Sequence, residues 1–316
     1  MLHQGFTVIH PGLMAQIQDG GRSGFQHVGL TTGGALDEHA FQWANHLLQN
    51  RWDAPVIEIS FGGLKLQSQV DCLVAVTGAD LGLRVNDQPM PTWEIIALRS
   101  GDRIEFGYPK NGTRAYLAVK GGFQVAPSFG SVSTVQRETI GGLDGLGKAL
   151  GFGDQLPCVE SDHRRDSKLQ KLIGKRVSNS YIPDYNAPLT LRVVLGYQQH
   201  LFPAQELERF FSEHYVISPD SDRMGVRLKG APIKPLTEGI VSEGISLGAV
   251  QIPPDGQPIV LMRDRQTIGG YPKLGSVYPP DTGQLAQRHP KTEVNFEVIN
   301  LHDAQQQLMR FYRYFR

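Results

Sequence analysis

Two polar stretches in the second half of the chain hold the side chains best suited to chemistry on a carbonyl or a carboxylate. The first, RDRQTIGGYP over residues 263–272, packs two guanidinium groups, a carboxylate, a hydroxyl and a pair of glycines into ten residues. It follows directly on an apolar run, and loops carried by a rigid sheet are where function concentrates. Arg263 and Arg265 are expected to alternate across a strand end, so that at most one of them enters a common pocket. The second, SPDSDRMGVRL over 218–228 continued by SEG at 242–244, sets Ser221, Asp222 and Arg223 side by side. A hydroxyl, an acid and a guanidinium in sequence suit ligand binding, although an arginine stapling its loop through its own aspartate has the same signature.

A possible second site lies in the first half, where QDGGRSGF (18–25) and TTGGALDEHA (31–40) place Asp19, Arg22 and Asp37 among glycines. Bare backbone amides there either approach an anion or simply make turns. Thr77, in VTGAD directly after a strand, serves a site or only a turn. Other motifs fail on inspection. GLDGLGKA at 142–149 has the spacing of a phosphate loop, but Ala149 stands where a hydroxyl would hold magnesium, and no convincing helix follows. The sequence has no HExxH and no paired CxxC, so a zinc enzyme is not supported.

The elements that must position these residues read as short strands. Ala249–Ile252 and Pro258–Met262 flank PPDG, in which proline fixes φ, aspartate bonds its own backbone and glycine takes positive φ, so a hairpin is predicted, with Leu274–Tyr278 returning as a further strand. Seven runs between Ile57 and Val119 predict an antiparallel barrel or sandwich, interrupted by one helix that Asp37 caps and Asn50 ends. A polar stretch over 159–188 marks the boundary between an N-terminal β-rich domain, 1–188, and a C-terminal domain, 189–316. The latter begins with a strand at Leu189–Leu195 and a short helix over Pro203–Phe211 with proline in its first turn. It ends in an amphipathic helix over Asp303–Arg316 with Leu308, Phe311, Tyr312 and Phe315 on one side.

Composition narrows the class. With 316 residues, 40% hydrophobic and 20% charged, the chain is long enough for two domains with sizeable cores. The 36 glycines and 20 prolines between apolar runs favour sheet over helical bundle. A net charge of +0 without a basic block argues against a nucleic-acid surface. Cys72 and Cys158 are too few for a disulfide framework or metal cluster and are expected to stay as thiols. Without a signal-like start or a long apolar segment, a cytoplasmic protein with no membrane association is expected.

Taken in order, QDGGRSGFQHVGLTTGGALDEHAFQWANHLL, IEISFGGLKL, VTGAD, RAYLAVKGGF, SDRMGVRL, SEGISLGAVQIPPDGQPIVLMRDRQTIGGYPKLG and AQRHP resemble the family called KipA-like, allophanate hydrolase subunit 2-like or biotin-dependent carboxyltransferase-like. The resemblance spans nearly the whole chain. It implies a mainly β protein of two β-rich domains, the C-terminal one a cyclophilin-like barrel, that pairs with a KipI-like subunit. With a third, LamB/YcsF-like subunit, the assembly resembles an ATP-dependent 5-oxoprolinase opening 5-oxoproline to glutamate. Fused relatives form the carboxyltransferase part of urea carboxylase, in which biotin carries the carboxyl group. A non-catalytic, kinase-regulating role is the third reading. The chain departs from the family pattern at Tyr197, Val132, Leu146 and Ile268, and it has neither a biotin-attachment MKM motif nor an amidase signature.

Either reaction works on a small amide or lactam, and requires donors aimed at developing negative charge. A positioned donor contributes roughly 3–4 kcal/mol in a dry site. The resemblance therefore implies Glu243, Asp264 and Arg265 as catalytic, with Glu243 or Asp264 as acid or base. Ser221, Asp222, Arg223, Thr267, Gly269, Gly270 and Tyr271 are the substrate-binding candidates, with one arginine clamping a substrate carboxylate through its fork.

Overall fold

The strand Leu64–Ser68 shows how the sequence builds the first half of the molecule, because Leu64 and Leu66 are buried and Lys65 between them is exposed. That period of two marks a sheet with one face on a core. The neighbouring sheet differs, since every residue of Val56–Ser60 is buried. Both of its faces are covered, Ile57 and Ile59 packing into the core between the sheets and Val56 into the cluster under a helix. The computed structural model describes residues 5–316. Contacts group the chain into two units, residues 1–23 with 33–185 and residue 315, and residues 24–32 with 186–314 and residue 316.

The first unit is a sandwich. One sheet runs in the order Gln155–Pro157, Gly5–Pro11, Leu64–Ser68, Arg103–Glu105, Arg84–Val85, Gln88–Pro89, and the other Met14–Gln18, Val56–Ser60, Asn111–Val119, Cys72–Asp80, Ile95–Leu98. The helix Glu38–Leu47 lies on the second sheet, with Phe41, Ala44 and the following Leu48 in the same cluster as Val56 and Ala118. Asp37 caps it as predicted, accepting from the Ala40 N–H at 3.1 Å, but the helix ends before Asn50. VTGAD is not a turn after a strand. Cys72–Asp80 runs through it, and Gly78 is glycine because its φ is +81° and a Cβ would lie 2.4 Å from the Arg114 carbonyl.

In the second unit seven strands close into a barrel in the order Leu189–Leu195, Lys273–Val277, Ala249–Gln251, Ile259–Leu261, Gly225–Lys229, Tyr215–Ile217, Glu293–Val298, the last pairing in parallel with the first. The predicted hairpin is present, with Val250 opposite Val260, Gln251 opposite Ile259 and Gly256 at φ +73°. Phe210 of the helix Ala204–Ser212 stacks on Phe296 at 4.4 Å, and Pro203 stands at the N-cap rather than inside the first turn. The helix Pro279–Ala286 is one that its proline and glycine content does not suggest. The last helix, Leu301–Phe315, starts at an Asn300 cap whose side chain accepts from Asp303 N–H. Among the described residues no helix is long and apolar enough to cross a membrane.

Candidate functional site

The four residues of the possible second site, all in the first unit, are engaged in structural bonds. Asp19 accepts from the Ser131 and Ser133 hydroxyls, both at 2.6 Å, and from Val132 N–H, tying a distant loop to its own. Arg22, 1% exposed, donates to the Ser133 carbonyl at 2.9 Å. Asp37 accepts from the Tyr185 hydroxyl at 2.7 Å besides capping its helix, and Thr77 donates to the Ala40 carbonyl at 2.6 Å. Each of the four thus makes at least one bond within the first unit. Cys72 and Cys158 are buried free thiols, the latter's pKa pushed up to about 12 by burial, so neither is a ready nucleophile.

In the second unit the two polar stretches meet, in an arrangement the sequence does not suggest. Arg223 grips Asp264 through both arms of its fork, Nε to Oδ2 at 2.8 Å and Nη2 to Oδ1 at 3.0 Å. The side chains are 10% and 7% exposed. The staple thus joins the two loops rather than Arg223 to its own Asp222. Asp222 closes its turn by accepting from Met224 and Gly225 N–H, and Ser221 bonds the Ser218 carbonyl and Arg227 N–H. The alternation expected for Arg263 and Arg265 does not apply, because the strand ends at Leu261 and both arginines lie in the turn beyond it. Arg265 donates from Nε to the Ile245 carbonyl at 3.1 Å and from Nη1 to the Met262 carbonyl at 3.2 Å. Burial, then the charge of Arg263, lowers its pKa to about 10, so it remains a cation at neutral pH. Its bonds make it a brace for the segment that carries Glu243.

That segment is a two-residue strand, Glu243–Gly244, paired antiparallel with Ile268–Gly269. Around Glu243 the fold gathers three residues that motif reading did not assign to a site. Lys273 Nζ contacts Oε1, the Tyr197 hydroxyl donates to Oε2, and Gln198 Nε2 donates to Oε1 at 2.8 Å. Gln198 is fixed in turn by Lys273 N–H, which donates to its Oε1 at 2.9 Å. The Lys273 ammonium and then the Tyr197 hydroxyl hold the Glu243 carboxyl below its usual range, while the carboxylate raises the Tyr197 phenol. At neutral pH the group is therefore a carboxylate encircled by donors, a weak base but a strong acceptor. Lys273 is 11% exposed and Glu243 32%, so the ring sits at the surface with its cation recessed.

The other predicted residues border this ring. Gly269 is the strand partner of Glu243, the Gly270 carbonyl accepts from Ile240 N–H at 2.8 Å, and the Thr267 carbonyl accepts from Ile245 N–H at 3.1 Å. Tyr271 is exposed. Beneath Gly269 lies Gln251, 1% exposed, directly opposite Lys273 in the barrel register. Its Nε2 has no hydrogen-bond partner among the described residues. Of the predicted catalytic set, then, only Glu243 belongs to a partly open polar cluster. Asp264 and Arg265 are engaged in holding its loops. Among the described residues no group of three or more His, Cys, Asp or Glu is placed to hold a metal ion.

An amide edge presents a carbonyl acceptor beside an N–H donor, and the ring offers the complement, a carboxylate oxygen beside ammonium, phenol and amide donors. The chain is 36% identical to a 5-oxoprolinase subunit of Escherichia coli over 98% of its length and 96% of that protein. It is 35% identical to the corresponding 5-oxoprolinase subunit of Haemophilus influenzae, over 92% and 90% respectively. Its fold superposes over its full length on 29% of the crystal structure of the Kluyveromyces lactis urea carboxylase, with a TM-score of 0.90 and 25% identity. Residues 28–298 match the family described as carboxyltransferase domain, subdomain A and B, and the chain belongs to that family.

Proposed function

We propose that this chain is a cytoplasmic subunit of an ATP-dependent 5-oxoprolinase, acting with KipI-like and LamB/YcsF-like partners to open 5-oxoproline to glutamate. The observation that carries the reading is the near end-to-end match to two proteins named as 5-oxoprolinase subunits. The polar ring supplies the chemistry. The lactam N–H donates to a Glu243 oxygen, displacing Lys273 and Tyr197, whose ammonium and hydroxyl turn to the lactam oxygen. As charge moves onto that oxygen these donors bind it more tightly than in the ground state, which lowers the barrier. Because Glu243 is held ionised, its role is to orient the amide; water adds to the lactam carbon, the C–N bond breaks, and the departing nitrogen takes a proton from Lys273 or Tyr197, which the proton lost by the water restores.

The segment GLDGLGKA does not fit a nucleotide phosphate. No helix begins after it, and Lys148 is paired with Asp144 at 3.2 Å. No residue of this chain is therefore assigned to ATP, and no step here is drawn through it. Carboxyl transfer to a urea-like amide from biotin on another chain is the second reading, favoured by the superposition on urea carboxylase. The same ring would orient the ureido N–H and oxygen. Purification of the chain with both partners, followed by measurement of glutamate formed from 5-oxoproline with and without ATP, separates the two. ATP-dependent glutamate is expected; a well-folded complex that forms none, but carboxylates urea when given carboxybiotin, contradicts the first reading.

A further inference from the structure

Among the described residues, Gln251 is one of a few buried polar side chains of the barrel unit with an atom that has no hydrogen-bond partner, and it lies directly under the ring. Its side chain is buried, yet its Nε2 has no partner among the described residues, and leaving such a donor unsatisfied is destabilising. A leucine of similar size would avoid that cost. The surroundings point the amide toward the ring already described. Gln251 and Lys273 are directly opposed across antiparallel strands, so their side chains leave the same face of the barrel wall. A Cβ on Gly269 would lie 2.8 Å from Gln251 Nε2 and 2.5 Å from Ile245 Cδ1. Gly269 has no left-handed φ to explain it, so it is glycine for space, and that space is where the Gln251 amide rests.

We propose that Gln251 is a substrate-binding residue whose Nε2 donates to the amide oxygen of a small cyclic amide or urea bound at the Glu243 ring, reached when the short Glu243–Gly269 ladder lifts. This rests on the reading of the ring as an amide site but not on the identity of the amide. The ladder joins only two residues on each strand, so opening it together with the flanking Ile240–Gly270 and Ile245–Thr267 bonds is a local event. The ligand oxygen then satisfies a donor that the free protein leaves unpaired, and the gain appears only on binding.

The test uses two variants and one spectrum. Gln251→Leu should raise the melting temperature of the chain by about 2–4 °C, the effect of removing an unsatisfied buried group, while raising the KM of the assembled complex for its amide about tenfold or more. Gly269→Ala, whose Cβ meets only side-chain ends, should fold and weaken binding in the same way. In the ¹H–¹⁵N spectrum of the chain and of the complex, the Gln251 side-chain NH2 pair, assigned by its absence from Gln251→Leu, should move on addition of 5-oxoproline or 2-pyrrolidinone and stay fixed with acetate. If urea alone moves it, the proposal stands and 5-oxoproline is the wrong amide. A fixed NH2 pair with every amide, or a Gln251→Leu complex with unchanged KM, overturns the proposal even where glutamate is formed.

Discussion

Removing either partner of the Arg223–Asp264 pair should destabilise the barrel severely, whereas replacing both should not. The two side chains are 10% and 7% exposed and joined by two short hydrogen bonds, so truncating one leaves the other charge buried. That loss is typically about 3–5 kcal/mol, while replacing both members by apolar residues of similar volume is often neutral. Arg223→Met and Asp264→Leu should therefore each cost at least about 3 kcal/mol, and the double variant less than either. With an m-value of roughly 1.5 kcal/mol/M, 3 kcal/mol lowers the urea midpoint by about 2 M. Far-UV circular dichroism across a urea series, arranged as a double-mutant cycle, measures this. Single variants that lose less than about 1 kcal/mol and combine additively would refute the view that the pair is a structural staple.

Three further outcomes follow from local geometry. The folded-state pKa of Glu243 is lowered, so the stability it contributes is present above its unfolded value, about 4.3, and is lost as pH falls through the lower folded value; the melting-temperature gap between wild type and Glu243→Gln should be constant from pH 7 to about 5 and close below about 4. Asp37→Ala removes a helix cap and strands the Tyr185 hydroxyl, which is expected to cost about 2–3 kcal/mol by chemical denaturation. Gly256→Ala at φ +73°, with a Cβ 2.9 Å from the Ile233 carbonyl, should cost more than about 1 kcal/mol and leave the fold of the first unit intact by near-UV circular dichroism.

What could be read from the sequence was local. The PPDG hairpin and the Asp37 cap are set by turn and capping chemistry within a few residues, and both are present. In the strand Met14–Gln18 the apolar Ala15 and Ile17 alternate with Gln16 and Gln18, but the pattern does not announce that the glutamine face is buried too. The site was legible only in part. Arg223 and Asp264 stand out by residue type, but 41 positions separate them, and nothing in either loop announces that each neutralises the other. Glu243 is marked by its SEG context. Its partners Gln198 and Lys273 lie 45 positions before and 30 after it, brought together by barrel closure, and an isolated glutamine or lysine carries no motif. Gln251 reads as one more strand residue. Its unpartnered amide draws attention only once the fold sets it under Gly269 and opposite Lys273.

The account centres on the claim that the donors around Glu243, rather than the arginine loops, act on the amide. The most direct measurement is the rate of ATP-dependent glutamate release by the assembled complex carrying Lys273→Met. Loss of a positioned donor should lower kcat by about 10²–10³-fold with the complex still intact. A wild-type rate from an intact Lys273→Met complex would contradict the account.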